Sequence, residues 1–168
     1  MGSRTTRINS CQLSAVSCQP RTAFTLLELV LILVILATLG AIAAPRYATA
    51  LDRYHADATA RRIVADLELA RATARNTSAS VTITFNPGLN TYEMIGVGSL
   101  DHPGSNATLV LSDAPYRSEL VATGLGGDDK LVFDGFGVPD AGGVILIQCG
   151  AESRTINVDD ETGVASVQ

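Results

Sequence analysis

Residues 23–44 read AFTLLELVLILVILATLGAIAA, a continuous apolar run close to the start of the 168-residue chain. Between residues 24 and 44 the one ionisable side chain is that of Glu28. A helix rises about 1.5 Å per residue, so these 21 residues match the roughly 30 Å hydrocarbon core of a bilayer. A cleaved secretory signal has a shorter apolar region of roughly 7–15 residues, so the run predicts a membrane anchor that is retained.

Glu28 is the anomaly in this segment. An ionised carboxylate near the middle of a membrane costs roughly 2.5–3.5 kcal/mol on insertion scales, and less near an end. Glu28 lies four residues, about 6 Å, from Phe24, which places it shallow but inside the apolar core. Two interpretations are open: the acid reaches the interface or stays protonated, or it is a partner for a cation.

The sequence Phe-Thr-Leu-Leu-Glu after a short basic leader resembles the class III signal of type IV prepilins and type II secretion pseudopilins. The resemblance implies that a prepilin peptidase cleaves between Ala23 and Phe24 and that the new amine of Phe24 is methylated. It also implies that Glu28 pairs with the N-terminal amine of a neighbouring subunit. Ala23 stands where the family has Gly, and Ala is a small residue that the pattern tolerates.

The charge distribution predicts the orientation in the membrane. Residues 1–23 contain Arg4, Arg7 and Arg21 and no acid, so the positive-inside rule places the N-terminus in the cytoplasm. We therefore expect a single-pass protein of the inner membrane with a periplasmic C-terminal domain. Without the leader the formal net charge falls from −5 to −8, which disfavours attraction to nucleic acid or anionic lipid.

The segment after the apolar run predicts a second helical stretch. Residues 47–76 contain no Gly or Pro, and apolar side chains recur at spacings of three and four, namely Leu51, Tyr54, Ala58, Ile63, Leu67, Ala70 and Ala74. Pro45 removes one backbone donor and predicts a kink where the two stretches join. Four arginines interleave with Asp57, Asp66 and Glu68, which favours a solvated face with intrahelical pairs over a nucleic-acid surface.

From residue 78 the pattern changes to that of short strands. Apolar residues alternate over 81–85, a turn follows at 86–90, and the return strand is predicted at 91–95. Further strands are predicted at 108–111, 118–122, 130–133, 143–148, 154–158 and 164–167, with long loops between 96 and 127. The predicted fold class is α+β and pilin-like: a long membrane-spanning and amphipathic helix packed on an antiparallel β-sandwich-like domain.

The C-terminal third carries a second resemblance. The pattern Phe-x-x-x-Gly at 133–137, an apolar strand from 143, Arg-x-Ile-x-Val at 154–158 and Gly163 are similar to the closing strands of the GspH/FimT domain. This resemblance implies the minor-subunit branch of the pilin class. The expected organisation is a leader at 1–23, a membrane and filament-core helix at 24–44, its amphipathic extension at 45–77 and a β domain at 78–168.

For catalysis and cofactors the sequence offers no recognisable site. His55 lies on the helix and His102 in a turn, the acidic turns at 128–129 and 159–161 lack EF-hand spacing, and Cys149 is the one thiol after the leader, predicted to be buried. We expect no enzymatic activity, no metal and no cofactor. The favoured function is a minor pilin or pseudopilin near a filament tip, with other pilins and a prepilin peptidase as partners. The alternative is a signal-anchored exported enzyme or ligand-binding β domain in which Glu28 is incidental.

Overall fold

The computed structural model describes residues 25–98 and 106–168, and the chain divides into two compact units, one ending at Gly40 and one running from Ala41 to Gln168. Helix α1 spans Leu26–Thr77. In the first unit its side chains are exposed, and its early part is long and apolar enough to cross a membrane. Pro45 lies inside the helix. The domain boundaries and the kink at Pro45 stay predictions.

The described residues of the second unit form eight strands, one at each position that the sequence pattern predicts. They are β1 Val81–Asn86, β2 Thr91–Gly98, β3 Asn106–Val110, β4 Glu119–Leu125, β5 Lys130–Phe133, β6 Gly143–Cys149, β7 Glu152–Val158 and β8 Ala165–Val167. Sheet A has the order β3-β2-β1-β5 and sheet B the order β4-β6-β7-β8. All pairings between named strands are antiparallel, so the predicted fold class is confirmed.

One hydrophobic core joins α1 to both sheets. The strands alternate as expected for half-buried sheets: Val81, Ile83 and Phe85 point inward while Thr82 and Thr84 remain partly exposed. The helix contributes a buried stripe with spacings of four and three residues, formed by Ala56, Ala60, Ile63, Leu67, Ala70 and Ala74. The small alanines let the helix approach the sheets closely, and Ile63 and Leu67 fill the centre of the interface.

The predicted apolar face of α1 is wrong in its first part. Leu51 and Tyr54 are 39% and 67% exposed, and Ala58 is half-buried. At 3.6 residues per turn, these three residues lie on the side of the helix opposite Ile63 and Leu67. The predicted apolar face therefore combined residues from two different faces of α1, one that packs on the sheets and one that faces outward.

A second correction concerns Asp66, which the sequence placed on a solvated face. Its side chain is buried, with 5% of the residue exposed. The intrahelical pair with Arg62 is present, at 2.9 Å from Arg62 Nε to Asp66 Oδ2, but it reaches into the helix–sheet interface. A carboxylate can be buried there because hydrogen-bond donors surround it.

Candidate functional site

The residues predicted to carry function divide into two groups. Ala23 and Phe24, the predicted cleavage pair, lie outside the described residues. Glu28 and Pro45 are described, and both are exposed on α1. The site that the structure describes is therefore the helix itself, together with the contacts that attach its second half to the β domain.

Glu28 sits in the first turn of α1. Thr25 precedes the helix, and its Oγ1 accepts a hydrogen bond from the Glu28 backbone N–H at 3.2 Å, while Leu29 N–H donates to the Thr25 carbonyl at 3.1 Å. Thr25 is thus the N-cap, and Glu28 is the third helical residue, the spacing of a capping box. Sequence reasoning missed this Thr-x-x-Glu pattern, although its spacing is a signature of a helix N-terminus. A carboxylate in this turn also faces the positive end of the helix dipole.

Polar groups elsewhere in the apolar and adjoining helix are satisfied locally. Thr38 Oγ1 donates to the Ile35 carbonyl at 2.9 Å, and Thr49 Oγ1 donates to the Pro45 carbonyl at 3.1 Å. Pro45 itself has no N–H to offer the carbonyl of Ala41. Glu28 is different: none of the ion pairs formed within residues 25–98 and 106–168 includes its carboxylate.

A buried polar cluster attaches the helix to sheet A. Tyr92 Oη donates to Asp66 Oδ2, the same oxygen that accepts Arg62 Nε. Burial and the neighbouring Asp66 carboxylate raise the pKa of Tyr92 well above its ordinary value. Sequence reasoning missed the bond between Asp66 and Tyr92 because the two residues lie 26 positions apart and hydropathy gives no sign of their pairing.

A second set of contacts attaches the helix to sheet B. Arg53 Nε lies 2.9 Å from Glu152 Oε1, and Arg154 Nε lies 2.6 Å from Asp57 Oδ1. Arg154 also approaches Glu152 Oε2 at 3.8 Å, which links the two pairs. The Arg154 guanidinium is therefore engaged by carboxylates within the chain, and it is not presented as a free cation for nucleic acid.

Buried hydroxyl and thiol groups fill the same interface. Thr59 Oγ1 and Ser118 Oγ are 2.8 Å apart, and both residues are fully buried. The Cys149 thiol donates to the Arg117 carbonyl at 3.2 Å. Burial, followed by the Asp52 carboxylate, raises the pKa of that thiol. The predicted burial of Cys149 is confirmed, and the residue is a free thiol.

The acidic turn at 159–161 is organised by its own hydrogen bonds. Asp159 Oδ1 accepts bonds from the Thr162 backbone at 2.7 Å, the Thr162 hydroxyl at 2.6 Å and the Glu161 backbone at 3.2 Å. The bonds from Thr162 lower the pKa of the exposed Asp159 carboxyl. In the described residues, no group of three His, Cys, Asp or Glu side chains is arranged to hold a metal ion.

The long helix and the two antiparallel sheets define a pilin-like subunit, and comparisons with known proteins agree. The family model of the type II transport protein GspH matches residues 59–162, more than half of the chain. The chain belongs to this GspH family. It is a minor pseudopilin or minor pilin subunit, and the resemblance of its C-terminal strands to the GspH/FimT domain is confirmed. The prepilin-type signal at residues 23–28 lies outside the matched residues and stays a prediction. No curated protein matches the sequence significantly.

One solved structure supports the fold. The type IV minor pilin FimU of Pseudomonas aeruginosa strain PAO1 matches with a TM-score of 0.51 and 14% identity, over 70% of this chain and 90% of that chain. A second crystal form of FimU gives a TM-score of 0.48 and 13% identity, over 67% and 91% of the respective chains. The family and the fold are those of structural pilins, which associate with other pilins and are held in a membrane by the apolar helix.

Proposed function

We propose that the chain is made as a prepilin and becomes a filament subunit after removal of residues 1–23. A prepilin peptidase cuts between Ala23 and Phe24, and the new Phe24 amine is methylated. The proposal is supported by the Phe-Thr-Leu-Leu-Glu signal directly before a membrane-length helix in a chain of the GspH family. Ala23 is small enough for the position that Gly occupies in the family pattern.

The observation that carries the proposal is the isolation of Glu28. It is the one ionisable group in the 21 residues 24–44, and it is exposed on the helix. Two opposite charges 4 Å apart attract by about 1 kcal/mol in water and about 4 kcal/mol at an effective dielectric constant of 20. Pairing with a neighbour's amine therefore offsets the roughly 2.5–3.5 kcal/mol cost of the acid in the bilayer. Assembly is thereby coupled to neutralisation of the charge.

The outward stripe of α1 supplies a contact face for neighbouring helices. Tyr47, Leu51, Tyr54 and Leu69 lie along one side of the helix, opposite the β domain, and are 39–69% exposed. Apolar side chains in such a row bury surface when a second helix packs along it. This arrangement supports association through the helix, both within the span and beyond Pro45.

The proposed topology follows from the leader. Arg4, Arg7 and Arg21, with no acid among residues 1–23, support a cytoplasmic N-terminus, an inner-membrane span at 24–44 and a periplasmic β domain. The helix at 45–77 then connects span and domain. Placement near the tip of a type II secretion pseudopilus or type IV pilus rests on membership of the minor-subunit branch. Deleting the gene and measuring both secretion and piliation in the host distinguishes the two machines.

Replacement of Glu28 tests the charge-pair mechanism. Glu28→Leu is expected to leave a stable membrane protein that fails to enter sheared filaments, since the cation of its neighbour loses its partner. The matched control is Thr38→Leu, which changes another polar residue of the same segment whose hydroxyl is satisfied within the helix. Normal incorporation of Glu28→Leu would refute the mechanism, whereas equal loss in both variants would show a general defect of the span.

A further inference from the structure

The loop between β5 and β6 is held rigidly by one aspartate. Asp134 Oδ1 accepts hydrogen bonds from the backbone N–H groups of Phe136 at 2.9 Å and Val138 at 2.8 Å. Asp134 N–H donates to the Val138 carbonyl at 2.9 Å, and Gly137 N–H donates to the Asp134 carbonyl at 2.8 Å. These four bonds, together with the bridge between Phe133 and Pro139, fix the backbone of residues 134–138.

The loop is also fastened to the end of α1. Gly137 has a φ of +78°, and a methyl group added there would lie 2.6 Å from Arg75 Cδ. Its carbonyl accepts a bond from Arg71 Nε at 3.2 Å. On the other side, Gly135 packs against the backbone of Ser78, with 2.9 Å from an added methyl group to the Ser78 carbonyl carbon. The loop is therefore ordered before any partner binds.

This ordered loop carries an exposed aromatic side chain. Phe136 is 83% exposed, whereas Phe85 and Phe133 in the same domain are buried. Val138 and Val164 are also exposed, at 42% and 46%, and Gly163 beside Val164 packs on Phe133 and Pro139. An aromatic residue displayed on a rigid loop loses little entropy on binding, which is how hot-spot residues of interfaces gain affinity.

The charges around Phe136 indicate the chemistry of its partner. The stems of Arg71 and Arg75 pack against Gly137, next to Phe136, and neither guanidinium forms an ion pair within residues 25–98 and 106–168. The loop's own Asp134 uses Oδ1 for backbone bonds. Asp134 keeps its negative charge, so Arg71, Arg75 and Asp134 together give this rim a net charge of +1 in a chain of net charge −5. A symmetric contact between two copies would bring arginines against arginines, which is unfavourable.

We propose that Phe136, Val138 and Val164, rimmed by Arg71 and Arg75, form a docking surface, and that Phe136 inserts into an apolar recess bordered by carboxylates on a neighbouring filament subunit. This inference rests on the chain's function as a filament subunit. It concerns a contact made by the β domain, separate from the pairing of Glu28 in the membrane. The two contacts therefore fail separately.

In-cell photocrosslinking of the full chain tests the surface. A p-benzoylphenylalanine at position 136 is expected to give a single adduct with another pilin-class subunit, whose crosslinked peptide contains Asp or Glu. The same probe at Leu89, 68% exposed in the β1–β2 turn, serves as the matched control and should not give it. Resistance to protease and methylation of Phe24 in each variant show that folding and processing are intact.

Charge variants test the rim. Arg75→Gln should reduce the adduct roughly tenfold, the scale of a lost hot-spot contact, while Arg75→Lys and the control Arg61→Gln should retain it. Adducts with lipid, with position 136 of a second copy, or with nothing beyond the Leu89 background would overturn the proposal, as would indifference to Arg75→Gln. Because the adduct is measured in membranes as well as in filaments, a Glu28→Leu background separates failure of this surface from failure of filament entry.

Discussion

The Tyr92 hydroxyl in β2 donates a hydrogen bond to the Asp66 carboxylate on α1, inside the interface between helix and sheet A. Asp66 is 5% exposed and also accepts Arg62 Nε at 2.9 Å. A buried carboxylate is tolerated when donors satisfy it and is costly when one of them is removed. This contact therefore helps to fix where the helix docks on the sheet, and it attaches the second half of α1 to the β domain.

Removing the Tyr92 hydroxyl should destabilise the domain. Tyr92→Phe keeps the ring in the core but takes one donor from a buried charge, so we expect a loss of about 2 kcal/mol in the free energy of unfolding. Urea unfolding of the full chain in detergent, followed by far-UV circular dichroism, measures it. Tyr54→Phe is the control, because Tyr54 is exposed; a loss of similar size there would contradict the assignment.

The same hydroxyl predicts an alkaline limit to stability. Burial and the Asp66 carboxylate raise the pKa of folded Tyr92 above its ordinary value of 10.0, so the unfolded chain releases this proton first. Below about pH 10 the protonated Tyr92 hydroxyl makes its full contribution to the free energy of unfolding, and this contribution declines as the pH rises further. The difference in free energy of unfolding between wild type and Tyr92→Phe should therefore become smaller between about pH 10 and pH 11. A constant difference over that range would be inconsistent with the raised pKa of Tyr92.

The ion pairs between α1 and β7 should contribute unequally. Arg154 is 24% exposed and bonds Asp57 at 2.6 Å, whereas Arg53 is 62% exposed in its pair with Glu152. Arg154→Gln should cost about 1 kcal/mol of unfolding free energy and Arg53→Gln less than about 0.5 kcal/mol, since exposed pairs are screened. Chemical denaturation of both variants at low and at high salt measures the two losses in unfolding free energy. A larger loss for Arg53→Gln than for Arg154→Gln would contradict the prediction.

Two glycines with positive φ allow the steric cost of an added side chain to be distinguished from the cost of the backbone conformation. Gly127, at φ +99°, has open space around it, whereas Gly137, at φ +78°, lies against Arg75. Gly127→Ala should cost about 1 kcal/mol for the backbone alone, and Gly137→Ala about 2–3 kcal/mol because the side chain also collides. Thermal unfolding of both variants compares them. Equal costs would mean that the exposed Arg75 side chain moves away from the added methyl group without loss.

The sequence predicted the positions of the strands better than it predicted which face of α1 is buried. Period-two alternation and turn residues located the eight strands of the described residues, because the signal for a strand and its bounding turns is local. The buried stripe of α1 was less predictable, since Tyr54 and Leu51 are apolar yet face outward, and Asp66 is charged yet faces inward. Which face is buried depends on donors such as Tyr92, which are distant in the chain and which periodicity cannot reveal.

The candidate site was predicted in the same uneven way. Glu28 stood out because an acid in an apolar run is anomalous in any context, but its place in a capping turn with Thr25 depends on where the helix begins. Phe136 gave no such signal. A phenylalanine reads as a core residue, and its exposure follows from the hydrogen bonds that Asp134 makes with the loop.

Mass spectrometry of the mature chain from host membranes tests the central claim most directly. The account predicts a product of residues 24–168 whose N-terminal Phe24 carries one methyl group on its amine. Ala23→Gly should give the same product, and processing should be at least as complete. An intact leader, or an N-terminus created after Ala43 or Ala44, would contradict the assignment of this chain as a processed filament subunit.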